Sequence, residues 1–265
     1  MQHWSRERIV DAIEANLFGF LSSFEDWSAA ELHDDQDLLW SLTDIPFPFF
    51  NSVLRARINE DLVSSRIDTV LAHARSNQVP LLWWTGPGTQ PADLGQILQG
   101  RGFKHDADYP GMACDLLNLP LPAAVPGLSI LKVTNNGHLR QWTKACVDGF
   151  ELPEFVGDAF YDWYSQLGLE GQRPLHHYLG FLNNKPVAAS SLFLHSGVAG
   201  IYNVAVVPDA RRKGIGAHMT WQPLRDACQA GFELGILHAS KMAESVYQGL
   251  GFRSYCLIGH YLADT

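Results

Sequence analysis

Residues 204–217, Val-Ala-Val-Val-Pro-Asp-Ala-Arg-Arg-Lys-Gly-Ile-Gly-Ala, set three consecutive cations, Arg211, Arg212 and Lys213, against two glycines, Gly214 and Gly216. The apolar run before them reads as a buried strand, and the residues after them as the start of a helix. A helix N-terminus leaves backbone N–H groups unpaired and carries partial positive charge. Glycines let a ligand come close to that backbone. Together these features make a seat for a phosphate or pyrophosphate. Spacing excludes two common phosphate loops. Lys213 precedes its glycine, whereas a P-loop needs Gly-Lys-Ser/Thr after four intervening residues. A dinucleotide fingerprint needs a third glycine where this chain has Met219.

A second pattern follows at Tyr247-Gln248-Gly249-Leu250-Gly251-Phe252. Between the two there is room for a helix at about 214–229, a strand at about 232–238 and a helix at about 241–248. Pro223 falls inside the first of these helices, where it predicts a kink or an early break. Arg-x-x-Gly-x-Gly after Val-x-Pro resembles motif A of the GNAT acetyltransferases, and Tyr-x-x-x-Gly-Phe resembles the end of the helix that follows in that family. The likeness covers roughly residues 198–260.

The resemblance implies an α/β fold (a mixed α+β sheet) of the acyl-CoA N-acyltransferase type, with acetyl-CoA as co-substrate and no metal. It implies that the backbone of Val204, Ala205 and Val206 pairs with the pantetheine arm. Arg211, Arg212, Lys213, Gly214, Ile215, Gly216 and Ala217 would face the pyrophosphate, mostly through N–H groups. Tyr247 matches the family's general acid; a phenol with an ordinary pKa near 10 keeps its proton at neutral pH and can donate it to a departing thiolate. Ser240 stands where many members carry asparagine, and its hydroxyl would replace that amide as a hydrogen-bonding group. The general base is not legible: Glu151, Glu154 and His195 are the candidates, the last on a strand facing the core sheet. The implied reaction is acetyl transfer to a primary amine, of a small molecule or a peptide, by direct attack. A non-catalytic acyl-CoA sensor and transfer of a longer acyl group are the alternatives.

The chain that must position these residues has 265 of them, 46% hydrophobic and 18% charged, enough for a sizeable core. A net charge of −9 argues against non-specific nucleic-acid binding. No apolar run is long enough for a bilayer span and no signal-peptide pattern opens the chain. Cys114, Cys146, Cys228 and Cys256 show neither metal spacing nor a disulfide framework, which suits a cytoplasmic protein. His176 and His177 would point to opposite faces of a strand and so form no metal pair. A monomer or a homodimer is expected, with neither nucleic acid nor membrane as partner.

The first half carries a partial echo of the second. Gln99-Gly100-Arg101-Gly102-Phe103-Lys104 resembles Gln248 to Arg253, and each window follows a predicted helix (91–99 in the first half) and an apolar strand-like run, Val79 to Trp84 or Phe232 to His238. The phosphate loop is not echoed: Arg57-Ile58-Asn59-Glu60-Asp61 lacks glycine and carries two acids, and Leu98 replaces the tyrosine. This predicts a degenerate GNAT-like domain at 1–122, a linker at 123–128 and a catalytic domain at 129–265. Within the first half, Ile45 to Phe50 is rich in aromatics, which core packing explains at least as well as substrate contact. Residues 2–40 read as one or two amphipathic helices, through Ile9, Ile13, Leu17, Phe20 and Leu21, that help cover the first sheet.

Overall fold

The computed structural model describes residues 4–171 and 173–264. The chain divides into two compact units that interleave in sequence: a larger one of Met1–Asn16 with Gly111–Tyr255, and a smaller one of Leu17–Pro110 with Cys256–Thr265. The break does not fall at the expected linker.

The smaller unit holds the C-terminal end of α1 (Arg6–Ser22), from Leu17 on, then β1 (Glu31–Asp34), β2 (Leu39–Leu42), β3 (Ser52–Leu54), α2 (Val63–Ser76), β4 (Leu81–Thr85) and α3 (Leu94–Gly100). Its sheet runs β1-β2-β3-β4-β11, where β11 is Arg253–Ala263. Among the described residues of these five strands, β3 and β4 form the parallel pair and the other neighbours are antiparallel. Trp40, Val53, Ile67, Val70, Trp83, Leu98 and Phe103 close its core. Residues 31–40, expected to be helical, fall in the β1–β2 pair instead, and α1 ends at Ser22. Two residues of that predicted segment, 2 and 3, lie outside the described residues. Phe50 is fully buried against Phe24 and Trp27, so the aromatic run at 45–50 serves packing.

The larger unit contains β6 (Leu128–Lys132), α4 (Asn136–Phe150), α5 (Glu154–Leu167), β7 (Leu175–Leu182), β8 (Lys185–His195), β9 (Val198–Val206), α6 (Ile215–Gln229), β10 (Leu234–His238) and α7 (Glu244–Gly249). Its sheet runs β5-β10-β9-β8-β7-β6, where β5 is Lys104–Asp115 and β9–β10 is the parallel pair. The side chains of Met112, Leu192, Ile201, Met219, Leu237, Tyr247 and Phe252 share its core.

Each unit takes its closing strand from the other half of the sequence. Gly111–Asp115 of β5, which follows α3, pair with β10, and Gly259–Ala263 of β11, which follows α7, pair with β4. The repeated motif explains how both strands are launched. The Phe103 N–H donates to the Leu98 carbonyl at 3.1 Å, and the Phe252 N–H to the Tyr247 carbonyl at 3.1 Å. Gly102 and Gly251 are both left-handed, at φ +92° and +86°. This is the closure by which a glycine ends a helix and redirects the chain.

The start of α1 belongs to the larger unit, contrary to its expected role over the first sheet. Asn16 is fully buried; its Nδ2 donates to the carbonyls of Phe193 and His195, and its Oδ1 accepts from the Tyr202 hydroxyl at 2.8 Å. Residues 123–128 have almost no regular structure, yet they are not a free linker. The Ala123 carbonyl lies 2.9 Å from His218 Nε2, and Val125 packs on the core beside Gly214. No helix among the described residues is long and apolar enough to cross a membrane.

Candidate active site

The site is built at the end of β9. Its antiparallel register with β8 shifts between Ala189 and Ser191, so Asn203 and Val204 together oppose Ser190. Asn203 is left-handed at φ +54°. This is a β-bulge. On the other side, pairing with β10 stops at Ile201–Leu237. From Tyr202 to Val206 the β10-facing edge of β9 is therefore left without a strand partner, an edge onto which an extended ligand can add hydrogen bonds. The end of α4 rests directly on this segment: a Cβ on Gly149 would stand 2.8 Å from Ala205 Cβ and 2.9 Å from the Val206 nitrogen, so only glycine fits.

Pro208–Ala210 form a single 3-10 turn, and α6 begins at Ile215. Between them Arg212 and Gly214 are left-handed, at φ +60° and +82°. Such turns gather successive N–H groups into an anion-binding concavity. Among the described residues, no hydrogen-bond acceptor is found for the backbone N–H groups of residues 212–217. Arg212 and Lys213 are exposed, and the Lys213 ammonium donates to the Asp209 carbonyl at 2.9 Å.

Arg211 has a different role from its neighbours. Its Nε donates to the Val206 carbonyl at 3.1 Å, and its Nη2 donates to the Gly149 carbonyl at 2.7 Å and to Glu151 Oε1 at 2.8 Å. The guanidinium thus ties the loop, the end of β9 and the end of α4 together. Glu151 holds its half of that ion pair from a left-handed helix cap, at φ +58°. This engages one of the expected proton acceptors. Glu154 is exposed at the start of α5. His195 does not face the core: it is exposed in the β8–β9 hairpin, at the opposite end of β9 from the unpaired edge.

A kink or an early break was expected at Pro223; helix α6 does not break there but runs on to Gln229. Proline removes the N–H that would bond the Met219 carbonyl, and the buried Ser190 hydroxyl donates to that carbonyl at 2.7 Å instead. Tyr247, on α7, is 6% exposed, and burial pushes its phenol up to about 12. The phenol meets the hydroxyl of Thr220, which donates to the Gly216 carbonyl at 3.0 Å. The tyrosine is thereby linked through one side chain to the first turn of α6. Ser240 is exposed in the turn before α7, its carbonyl accepting from the Ala243 and Glu244 N–H groups at 2.9 and 3.1 Å.

Asn203, Thr220, Gly149 and Ser190 are absent from the sequence-derived set. One had a visible signal: Asn203 is the polar residue in the apolar run Ile201 to Val207, and asparagine is the residue after glycine that best tolerates a left-handed conformation.

Residues 138–252 match the model of the Acetyltransferase (GNAT) family. Among curated proteins, none matches this chain in sequence. Among solved structures, the chain is similar to a GCN5-related N-acetyltransferase from Kribbella flavida, with a TM-score of 0.74 at 17% identity over 96% of each chain. It is also similar to a GCN5-related N-acetyltransferase from Sphaerobacter thermophilus, with a TM-score of 0.63 at 14% identity over 96% of this chain and 90% of that one. A tandem GNAT protein from the clavulanic acid biosynthesis pathway gives 0.62 at 13% identity, over 96% of this chain and 93% of that one. At these identities the likeness speaks for the fold. Residues 138–252 are a GNAT-family acetyltransferase domain, set in a chain with the tandem GNAT fold.

Proposed function

We propose that this chain transfers an acetyl group from acetyl-CoA to a primary amine by direct attack. The observation that carries the reading is the continuity of two unpaired backbone surfaces. The β10-facing edge of Tyr202–Val206 leads into the six N–H groups of residues 212–217. An extended arm ending in a pyrophosphate fits that sequence of groups: strand-like pairing first, then an anion seat at a helix N-terminus. Val204, Ala205 and Val206 would hold the pantetheine arm, and residues 212–217 the phosphates. Arg211 contributes by fixing the loop, since its own guanidinium is occupied. The exposed Ser240 hydroxyl is free to reach the arm or an ordered water.

In this reading the amine lone pair forms the C–N bond at the thioester carbonyl carbon. The tetrahedral intermediate then collapses, and the C–S bond breaks with its electron pair on sulfur. Tyr247 keeps its proton at every physiological pH and offers it to that sulfur, while the attacking nitrogen sheds one proton, which returns through water to the tyrosinate and restores the phenol. The smaller unit, which lacks the glycines and carries Leu98 at the tyrosine position, has no such seat and would be the degenerate partner. A reducing, cytoplasmic setting suits a chain whose four cysteines are all thiols.

Thiol release from acetyl-CoA against a panel of small and peptide amines tests the proposal. Amine-dependent release supports an N-acetyltransferase and names its acceptor class. Binding of acetyl-CoA without release from any amine would favour an acyl-CoA sensor, the reading to which the engaged Glu151 lends weight.

A further inference from the structure

We infer that Asn203 is the positioning residue of this site, holding the end of β9 open through a buried side-chain chain made with Tyr164, Ser191 and His177. The inference rests on the acetyl-CoA reading given above. Among the described residues of β9, Asn203 alone has a positive φ, and neither glycine nor proline lies between Ile201 and Val207 to produce the bulge. The carboxamide is anchored from beneath. Its Nδ2 donates to the Tyr164 hydroxyl at 3.0 Å and to Ser191 Oγ at 3.4 Å, and Ser191 Oγ lies 2.9 Å from His177 Nδ1. Tyr164 and His177 are 0% and 2% exposed, so the half-buried Asn203 is anchored on partners that are themselves shielded from water.

Two elements thus meet on one amide, α5 through Tyr164 and β8 through Ser191, and β7 joins the chain through the bond of His177 to Ser191. Burial pushes His177 down to about 3 and Tyr164 well above the usual phenol range, so both are neutral and the chain carries hydrogen bonds rather than charge. A left-handed residue with a Cβ is disfavoured unless its surroundings fix it. Here the surroundings do so, and the bulge sits two residues beyond the last β9–β10 pair. With a regular backbone at 203, β9 would continue alongside β10 past Ile201, and the edge offered to the pantetheine arm would close. The phosphate seat at 212–217 is a separate piece of backbone and does not depend on this residue.

The test compares Asn203→Val, Asn203→Gly and Tyr164→Phe in the full chain. Calorimetry gives each variant's affinity for acetyl-CoA, which needs the open edge, and for adenosine 3′,5′-diphosphate, which carries phosphates but no arm. Asn203→Val should weaken acetyl-CoA by about tenfold or more while leaving the nucleotide within about twofold. Asn203→Gly, which keeps the left-handed backbone but loses the anchor, and Tyr164→Phe should each weaken acetyl-CoA by about threefold and spare the nucleotide. Unchanged acetyl-CoA affinity in a cooperatively melting Asn203→Val, or equal losses for both ligands, would overturn the inference. If that variant does not fold, unchanged affinity in the other two overturns it. A wild-type chain that binds the nucleotide but not acetyl-CoA overturns it also, whereas one that binds neither removes the acetyl-CoA reading itself and this inference with it.

Discussion

A single methyl group at position 216 tests the phosphate seat without disturbing the fold. Gly216 lies in the first turn of α6 and is not left-handed, and a Cβ there would meet only Val206 Cγ2, at 3.9 Å. Nothing within the chain resists the change. Alanine is favoured over glycine in a helix by up to about 1 kcal/mol, so Gly216→Ala should hold the melting temperature or raise it by about 1–3 °C. The same methyl stands among the unpaired N–H groups that would surround the pyrophosphate. Losing two hydrogen bonds to a charged group, at about 1.5 kcal/mol or more each, weakens acetyl-CoA by roughly a hundredfold. Gly214→Ala supplies the contrast. Its φ of +82° puts the alanine in the left-handed region, and its Cβ would press on Val125 at 3.4 Å. That variant should lose about 1–2 kcal/mol of stability. Thermal melts and acetyl-CoA calorimetry on both proteins separate the two effects. A Gly216→Ala chain that melts like wild type and binds acetyl-CoA within about threefold of it would refute the reasoning.

Tyr247→Phe should lower kcat by at least about tenfold and leave the acetyl-CoA Kd within about twofold, measured by steady-state thiol release and calorimetry; equal kcat would end its role at the sulfur. Because that phenol is held at about 12 in the fold against about 10 unfolded, its neutral form is favoured, so its contribution is intact below pH 10 and is lost as pH rises toward 12. His177 and His238 behave in the opposite sense. Burial pushes them down to about 3 and about 4, so the unfolded chain takes up their protons first as pH falls through 6.5. Between pH 7 and 5.5 this should remove about 1.3 kcal/mol for each, seen as a falling urea midpoint; a midpoint that does not move over that interval contradicts the burial argument. A chain of residues 129–265 alone should not fold as a monomer, since it lacks the buried Met112, Cys114 and Leu116 that line β10 and the Asn16 that caps β8; cooperative melting of that fragment would show otherwise.

The backbone course of residues 204–217 and of the Tyr247 turn was legible because each is a local pattern: residue types at fixed spacing dictate a strand end, a left-handed glycine and a helix start. The echo at Gly102 was legible for the same reason, and the two halves share the same helix closure. What escaped depends on distant partners. The role of Arg211 is set by a carbonyl and a carboxylate 60 or more positions away, which spacing cannot reveal. The exchange of β5 and β11 leaves the local strand pattern unchanged and alters only which edge each strand finds. The β1–β2 pair is formed by strands of four residues each, too short for alternation to outweigh the helical periodicity that precedes them. Pro223 was read correctly as a lost N–H, but the compensating Ser190 hydroxyl comes from another element.

The most direct measurement of the central claim is a calorimetric titration of the full chain with acetyl-CoA, repeated with Arg212→Glu plus Lys213→Glu, a pair that leaves the Arg211 tether intact. Saturable one-to-one binding in the wild type, with affinity greatly reduced in the double variant at an unchanged melting temperature, is the result this account predicts. No binding by the wild type, or equal binding by both proteins, would mean that residues 212–217 are not the seat of the cofactor's phosphates.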